Sequence, residues 1–266
     1  MSSDLVFVHG WATDSGAWEG IAKEFAGSIS IDLPGHGGQL GWDESTLKPA
    51  IDEIAGRVKG AKKGLIGVGW SLGSQALIAA RPLLKERLRA LVLVGSTPCF
   101  VEREDFHWAQ SKALVKRMIM DMRKDPAATV DSFYSLNFTS NEAATDEAKA
   151  FVSRYKYPGP ISCEGDLPGC FPKFRYGEIT KALEALYTID LREDIKTIDV
   201  PVLLVHGRGD SICPVGAAEY MASRMKRARL EAFDGAGHAP FLTRRDAFIS
   251  VLKDFMKRLD DAQDRL

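Results

Sequence analysis

The stretch Gly69-Trp70-Ser71-Leu72-Gly73 places a serine between two glycines, directly after an apolar run. Residues 65–68 before it are typical of a short buried strand, and residues 74–80 after it are typical of a helix. So tight a turn strains its central residue and crowds the positions two away from it, where only glycine fits. We therefore predict that Ser71 stands exposed at the carboxyl end of a strand, at the positive end of a helix, in the position of a nucleophile.

The composition is that of an ordinary globular protein. The chain has 266 residues, a net charge of −1 and 45% hydrophobic residues, which fits one domain with a sizeable insertion and no nucleic-acid partner. No apolar run approaches the roughly 20 residues that a membrane span needs, and no basic segment followed by an apolar one begins the chain. We expect a cytoplasmic monomer that contacts no membrane.

Four cysteines, Cys99, Cys163, Cys170 and Cys213, are spread widely along the chain. Such spacing in a chain of this length argues against a disulfide scaffold, so we expect reduced thiols. Cys163 and Cys170 bracket a loop rich in glycine and proline, and a disulfide or a shared metal there stays open as an alternative. Their spacing matches no zinc-binding pattern, and we predict neither a metal nor an organic cofactor.

Short apolar segments alternate with helical segments through most of the chain. This alternation predicts an α/β fold in which a mostly parallel, doubly wound sheet carries helices on both faces. The predicted strands cover residues 5–8, 29–31, 65–68, 90–94, 202–205 and 230–233. The predicted helices cover residues 16–25, 47–58, 74–80, 215–225 and 246–259.

The alternation stops between residues 101 and 188, where no convincing buried strand is found. Helical spacing in that part of the chain covers residues 107–122, 127–136, 143–155 and 178–186. Because the strand–helix rhythm resumes afterwards, we predict a helical cap of residues 101–188 inserted into a discontinuous core of residues 1–100 and 189–266.

Two predicted strands end in residues that can serve Ser71. Functional groups gather at the carboxyl ends of the strands in a doubly wound sheet. The strand at 202–205 leads to Asp210, and the strand at 230–233 leads to His238 on a loop rich in glycine. We predict that His238 takes the proton of Ser71 and that Asp210 orients His238, since the order Ser, Asp, His is the one expected after such a serine turn.

Other acids and histidines fit these roles less well. Asp234 follows the last strand directly, but it lies in the same loop as His238 and is the competing candidate for the acid. His9 and His206 each precede a glycine at the end of a strand, where a structural role is favoured over a catalytic one.

Two backbone N–H groups are predicted to bind the oxyanion of the tetrahedral intermediate. Leu72, which follows Ser71 at the start of the helix, supplies one of them. Gly10 lets the chain turn sharply after the first strand, so that the N–H of Trp11 can point back across the strand ends and supply the other. Losing one such donor typically costs about 100- to 1,000-fold in rate, so these turns matter as much as the acid and the base.

The motifs at residues 7–11, 32–37, 69–73, 207–210 and 237–238 together resemble the α/β-hydrolase superfamily along nearly the whole chain. A narrower resemblance is carried by five segments. The segments at residues 69–73, 96–100, 133–137, 188–192 and 238–241 are similar to the pimeloyl-acyl-carrier-protein methyl ester carboxylesterases of biotin synthesis.

This resemblance implies a serine esterase that opens the methyl ester of a pimeloyl chain, or of a similar short-to-medium acyl chain, and releases methanol. It implies acyl carrier protein as the partner that carries the chain. The implied oxyanion and substrate contacts are Trp11, Ser71, Leu72, Phe133, Tyr134, Ser135, Leu136, Asn137 and His238. We further predict that Trp11, Trp70, Phe133 and Phe241 line an apolar acyl channel.

A basic stripe is the predicted docking site for the acidic carrier. Lys112, Lys116 and Arg123 fall on one face of the first cap helix, with Arg117 and Lys124 beside them. Such a stripe beside the mouth of the pocket would steer an acidic partner towards it. An ordinary solvated helix face is the alternative interpretation.

Two other functions stay open at this stage. A hydrolase of C–C bonds in aromatic ring-cleavage products uses the same three residues and a helical cap. A ligand receptor built on a hydrolase scaffold belongs to a different class, in which the serine turns over slowly and the cap recruits a partner.

Overall fold

We analysed a computed structural model of the chain, and the structure describes residues 5–61, 64–156 and 175–263. Cys163 and Cys170 lie outside these ranges, so the alternatives for their loop stay predictions. Cys99 and Cys213 are both buried and carry free thiols.

Six strands of the described residues form one sheet in the order β2-β1-β3-β4-β5-β6. Every neighbouring pair in this sheet runs parallel, which confirms the predicted parallel α/β architecture. The strands are β1 (Leu5–Val8), β2 (Ile29–Ile31), β3 (Leu65–Trp70), β4 (Leu88–Val94), β5 (Val202–Gly207) and β6 (Ala228–Phe233). Because the strands are parallel, all their carboxyl ends lie at one edge of the sheet.

The central strand β3 is buried along its whole length and runs two residues further than predicted, as far as Trp70. Trp70 pairs with Val94 at the end of β4, so the strand delivers Ser71 directly to the carboxyl edge of the sheet. The ladder continues one step beyond the strand, because the N–H of Ser71 donates to the carbonyl of Val94 over 2.9 Å.

Six of the helices that the structure describes flank the sheet: α1 (Glu19–Ala22), α2 (Lys48–Arg57), α3 (Leu72–Leu84), α8 (Val215–Arg224), α9 (Pro240–Thr243) and α10 (Arg245–Gln263). The helix predicted at residues 16–25 is shorter in the structure, where a 3-10 turn at Ser15–Trp18 leads into α1. The helix after Ser71 begins earlier and ends later than predicted, and it carries Pro82 within its last turn.

Four more helices lie between β4 and β5 in the part of the chain that the structure describes, and we call residues 112–156 and 175–188 the helical region. They are α4 (Lys112–Lys124), α5 (Pro126–Ser135), α6 (Asp146–Tyr155) and α7 (Tyr176–Thr188). The first begins at Lys112 and not at residue 107, because short backbone bridges join Val101 to Gln110 and Arg103 to Phe106. The predicted division of the chain into cap and core at residues 101 and 188 stays a prediction.

The helix α10 is the longest described helix, with 19 residues, but charged residues recur along its whole sequence. Within the described ranges, no helix combines the length and the apolar character that a membrane span requires. The buried face of α10 instead packs Phe248 and Leu252 into the core.

Candidate active site

Ser71 occupies a strained turn between β3 and α3. Its backbone has φ +54° and ψ −117°, a conformation that side-chain-bearing residues rarely adopt. A Cβ at Gly69 would lie 2.6 Å from the N atom of Ser74, and one at Gly73 would lie 2.4 Å from the carbonyl oxygen of Val8. Both positions are therefore closed to side chains, as the sequence predicts, and the turn presents Ser71 at the start of α3.

Asp210 and His238 form a buried hydrogen-bonded pair. The Nδ1 atom of His238 lies 2.7 Å from Oδ2 of Asp210. The other carboxylate oxygen accepts from the backbone N–H groups of Ile212, over 2.9 Å, and Cys213, over 2.8 Å. The two N–H groups fix the carboxylate, and the carboxylate in turn fixes the ring of His238.

The other ring nitrogen of His238, Nε2, is buried and has no hydrogen-bond partner among the described residues. It therefore makes no hydrogen bond with the hydroxyl of Ser71 in this structure. With Nδ1–H donated to Asp210, Nε2 is the nitrogen that carries the free lone pair. A histidine in that tautomer is equipped to accept a proton from a neighbouring hydroxyl.

A second histidine contacts the same carboxylate. Nε2 of His206 lies 3.2 Å from Oδ2 of Asp210 and 2.6 Å from the carbonyl oxygen of Cys213. Burial by itself raises the pKa of the Asp210 carboxyl, but the charge of His238 and the hydrogen bonds from His206 and His238 lower it well below its usual range. Asp210 therefore stays ionised. His206 contacts Asp210, which fits the structural role that we favoured for it from the sequence.

Trp70 and Gly95 hold His238 beside the serine turn. The indole N–H of Trp70 donates to the carbonyl of His238 over 2.9 Å, and the two rings lie 5.6 Å apart. A Cβ at Gly95, which has φ +52°, would lie 2.8 Å from the carbonyl oxygen of His238 and 2.9 Å from its Nδ1. The sequence analysis missed Gly95, since a single glycine after a strand gives no hint of what packs against it.

The loop of His238 is also bound from the helical region. The N–H of His238 donates to the carbonyl of Asn137, which follows α5, over 2.8 Å. One residue earlier, the N–H of Gly237 donates to the carboxylate of Glu142 over 2.7 Å. Glu142 is buried, and the sequence analysis did not single it out.

The turn after β1 is strained in the same way as the serine turn. Ala12 has φ +54°, and its carbonyl accepts a hydrogen bond of 2.7 Å from the buried hydroxyl of Tyr134. Among the described residues, the backbone N–H groups of Trp11 and Leu72 donate to no protein acceptor. Both N–H groups are thus unpaired at the ends of neighbouring strands, as an oxyanion site requires.

His9 and His36 lie behind this turn and have structural contacts. Nδ1 of His9 donates to the carbonyl of Gly10 over 2.8 Å, and its Nε2 accepts from the N–H of Leu33 over 2.9 Å. Both nitrogens are used, and burial lowers the pKa of His9. The ring of His36 packs 5.1 Å from that of His9, so both histidines support the turn from within the core.

Two of the predicted substrate contacts line a cavity of about 510 Å³ between α4 and α5. Phe133 lies at its inner end, with its ring edge-on to Trp11 at 4.9 Å, and Leu136 lies at its exposed rim. The remaining apolar lining comes from α4, α5 and the loops that follow β4 and β5, namely Phe100, Leu114, Val115, Met118, Ala128 and Ile212. Ser71 itself is not part of this lining.

The structure places the other predicted contacts elsewhere. Trp70 and Phe241 are buried and pack edge-on at 5.1 Å, with Phe241 stacked on Trp18 at 4.2 Å. Ser135 lines a separate cavity between α5 and α6. The amide of Asn137 is buried and donates to the carbonyl of Tyr134 over 3.1 Å. Trp70 and Phe241 therefore form the wall behind His238 and do not reach the cavity beside Phe133.

The five predicted docking residues of α4 are all exposed, but their contacts divide them between two sides. Arg123 pairs with Glu184 of α7 over 2.7 Å, and the amine of Lys116 lies 6.0 Å from the ring of Tyr187. Arg117 pairs with Asp121 over 2.9 Å, and both Arg117 and Lys124 line the rim of the cavity. Lys112 stands at the start of the helix.

Comparison with known proteins identifies the family. The model of the alpha/beta hydrolase family matches residues 5–251. A pimeloyl-acyl-carrier-protein methyl ester esterase from Nitrosomonas europaea is 34% identical over 256 residues, which cover 93% of this chain and 93% of that protein. A protein of the same name from Aromatoleum aromaticum is 29% identical and covers 96% of this chain and 98% of its own length.

Solved structures share the fold. An esterase from Exiguobacterium antarcticum has a TM-score of 0.80 at 22% identity, covering 96% of this chain and 92% of its own. A bromoperoxidase from Bacillus anthracis also has a TM-score of 0.80, at 17% identity, with 97% and 92% covered. The resemblance inferred from the motifs is confirmed: the chain belongs to the alpha/beta hydrolase family and is a carboxylic ester hydrolase.

Proposed function

We propose that the protein is a serine carboxylesterase in which Ser71 is the nucleophile, His238 the general base and Asp210 the residue that orients His238. The observation that carries this proposal is the buried hydrogen bond of 2.7 Å between His238 and Asp210, next to the strained turn of Ser71. A serine hydroxyl needs such a base, because its own pKa lies far above neutrality.

In the proposed reaction, Oγ of Ser71 attacks the ester carbonyl while its proton passes to Nε2 of His238. The oxyanion that forms is bound by the N–H groups of Trp11 and Leu72, and the imidazolium is stabilised by Asp210. The imidazolium then protonates the departing alkoxide, which leaves as the alcohol. Water, deprotonated by His238, hydrolyses the acyl-serine and releases the carboxylic acid.

For the substrate, we infer a methyl ester of a pimeloyl chain on acyl carrier protein, or a similar short-to-medium acyl ester. The names of the relatives in Nitrosomonas europaea and Aromatoleum aromaticum support this substrate. The apolar lining near Phe133 and Leu136 suits an acyl chain, and the exposed basic residues of α4 suit an acidic carrier.

Complementation tests the proposal. A bacterial strain that lacks its own pimeloyl-acyl-carrier-protein methyl ester esterase should grow without biotin when it expresses this chain, but not when it expresses Ser71→Ala. Growth with both chains, or with neither, would contradict the proposed substrate. The purified protein should also hydrolyse pimeloyl methyl ester faster than a dienone of the ring-cleavage type.

Mass spectrometry separates the enzyme from a ligand receptor on the same scaffold. The proposed esterase should show an acyl-serine on Ser71 only transiently, during turnover of an ester. An adduct that persists after the ester is exhausted would favour the receptor.

A further inference from the structure

Glu142 carries a buried carboxylate whose role the proposed reaction leaves open. The residue is 2% exposed and precedes α6 in the helical region. Besides its own turn, its carboxylate accepts hydrogen bonds from the loop of His238 and from α9. The donors are the N–H and hydroxyl of Thr139, the N–H of Gly237 and the hydroxyl of Thr243. All four of these donors are uncharged groups.

Helix capping accounts for part of this arrangement. The N–H of Thr139 donates to Glu142 over 2.9 Å, and the N–H of Glu142 donates back to the hydroxyl of Thr139 over 3.3 Å. This reciprocal pair is a capping box, here at the turn before α6. A capping box is stable at a protein surface, where its carboxylate keeps its water.

Capping does not account for the burial or for the two distant donors. A carboxylate that is removed from water without a cation is destabilised unless hydrogen bonds replace its hydration. At Glu142 the replacement comes from Gly237, directly before His238, and from Thr243 of α9, directly after the loop. The carboxylate thus joins both ends of the loop that carries His238.

Gly237 leaves room for the contact between its loop and Glu142. A Cβ at Gly237 would lie 2.6 Å from the carbonyl oxygen of Asn137 and 3.1 Å from the carboxylate of Glu142. A side chain at residue 237 would therefore push the loop away from both acceptors. The N–H groups of Gly237 and His238 then donate to Glu142 and Asn137 in turn, so that two consecutive backbone donors are held by the helical region.

We propose that Glu142 is a positioning residue for His238: its carboxylate fixes the loop of His238 from the helical region, so that Nε2 is held where Ser71 needs it. The inference rests on the proposed function, since it takes His238 as the base. Asp210 fixes the ring of His238 from one side, and Glu142 fixes its backbone from the other.

The test compares Glu142→Ala, Glu142→Gln and Thr145→Ala in the full chain. Thr145 caps α6 through the N–H of Ala148 and does not contact the loop of His238, so it is the matched control for the loss of a cap in the same region. Each variant is assayed for kcat and KM on p-nitrophenyl butyrate, for the rate at which a fluorophosphonate labels Ser71, and for Tm.

We expect Glu142→Ala to lower kcat and the labelling rate by about 10- to 100-fold, the effect of a small misplacement of a catalytic group. KM should change by less than about twofold, since the loss falls on the reacting geometry and not on ground-state binding. In Glu142→Gln the amide oxygen still accepts from Gly237, and the amide NH2 group can donate to the hydroxyl of Thr243, which reverses that bond, so this variant should keep most of kcat. Thr145→Ala should lose stability but keep kcat.

Equal labelling rates in the wild type and Glu142→Ala would overturn the inference, as would a loss of kcat in Thr145→Ala as large as that in Glu142→Ala. If Glu142→Ala does not fold, Thr243→Val takes its place, because it removes one donor and leaves the capping box intact; an unchanged kcat in that variant overturns the inference too. A wild type that neither turns over the ester nor is labelled at Ser71 would overturn the proposed function itself.

Discussion

Ala12 and Ser71 share one unusual backbone torsion: each has φ +54°, and no other non-glycine residue in the described ranges has a positive φ. They lie in the turns that follow β1 and β3, which are neighbouring strands. Such conformations cost roughly 1–3 kcal/mol each and persist only where the surroundings enforce them. The two strained turns are also the two that present the unpaired N–H groups of Trp11 and Leu72.

The strain at Ser71 can be separated from its chemistry. Ser71→Ala should lower ester hydrolysis by about four to six orders of magnitude, because the proposed nucleophile is removed. Ser71→Gly should be equally inactive but more stable than Ser71→Ala by about 1 kcal/mol, since glycine adopts a positive φ without strain. Urea unfolding of both variants measures the difference, and a Gly variant less stable than the Ala variant would show that the turn is not strained.

Asp210 should matter through its charge. Asp210→Asn should lower kcat by about 10,000-fold at neutral pH, because the amide no longer fixes the tautomer of His238 or stabilises its imidazolium. Asp234→Asn is the matched control: Asp234 follows β6 in the same loop as His238, but its side chain is 92% exposed and pairs with Arg208. Steady-state kinetics should find the control unchanged, and an equal loss in both variants would favour Asp234 as the acid.

Tyr134 should act on the turn and not on the substrate. Its hydroxyl is buried and donates to the carbonyl of Ala12, and burial raises the pKa of Tyr134 well above its usual range. Tyr134→Phe leaves that carbonyl unpaired, so it should cost about 1–3 kcal/mol of unfolding free energy. The displaced turn should lower kcat while KM stays unchanged; a variant with a raised KM and an unchanged kcat would instead make Tyr134 a substrate contact.

Docking of the carrier should depend on the charges of α4. The double variant Lys112→Glu, Lys116→Glu should raise KM for a carrier-bound ester by about tenfold at low salt. Its KM for p-nitrophenyl butyrate should stay unchanged. The difference should shrink as salt is added, because exposed charges are screened. Lys226→Glu with Lys257→Glu makes the same charge change on other elements, just before β6 and on α10. Equal effects of the two double variants would remove α4 as the docking site.

The buried histidines behind the strained turn predict a stability loss in acid. Burial, and then the charge of His9, lower the pKa of His36 to about 3, against about 6.5 in an unfolded chain. Between pH 3 and pH 6.5, His36 is protonated in the unfolded chain but neutral in the folded protein. The free energy of unfolding should therefore fall as the pH falls from 6.5 towards 3, by about 1.4 kcal/mol per pH unit for one such group. His36→Gln should show a shallower slope in urea unfolding at pH 7, 6, 5 and 4, and parallel slopes would contradict the assignment.

Much of the sheet and the pairing of Asp210 with His238 could be predicted, because each depends on local signals. A glycine or an acid that directly follows an apolar run marks where a strand ends, and parallel pairing brings the carboxyl ends of the strands together. The strained φ of Ser71 follows in the same way from the glycines on either side of it.

Contacts made by the helical region could not be predicted in this way. Phe133 and Ser135 are near neighbours in sequence, yet they line different cavities, because α5 presents one to α4 and the other to α6. Trp70 and Phe241 look like channel residues in the sequence, but both fill the core where β3 meets α9. Which face of an aromatic side chain is covered depends on distant segments that the local pattern does not encode.

The hydrogen bond from His238 N–H to the carbonyl of Asn137 has a practical consequence for redesign. Exchanging the helical region between hydrolases is an obvious route to new substrates, since α4 and α5 contribute most of the cavity wall. In this protein the helical region also supports the loop of His238, the proposed base, so we expect a graft that replaces residues 137–142 to alter catalytic rate along with substrate choice. A useful graft would therefore keep that turn and vary only α4 and the first two turns of α5.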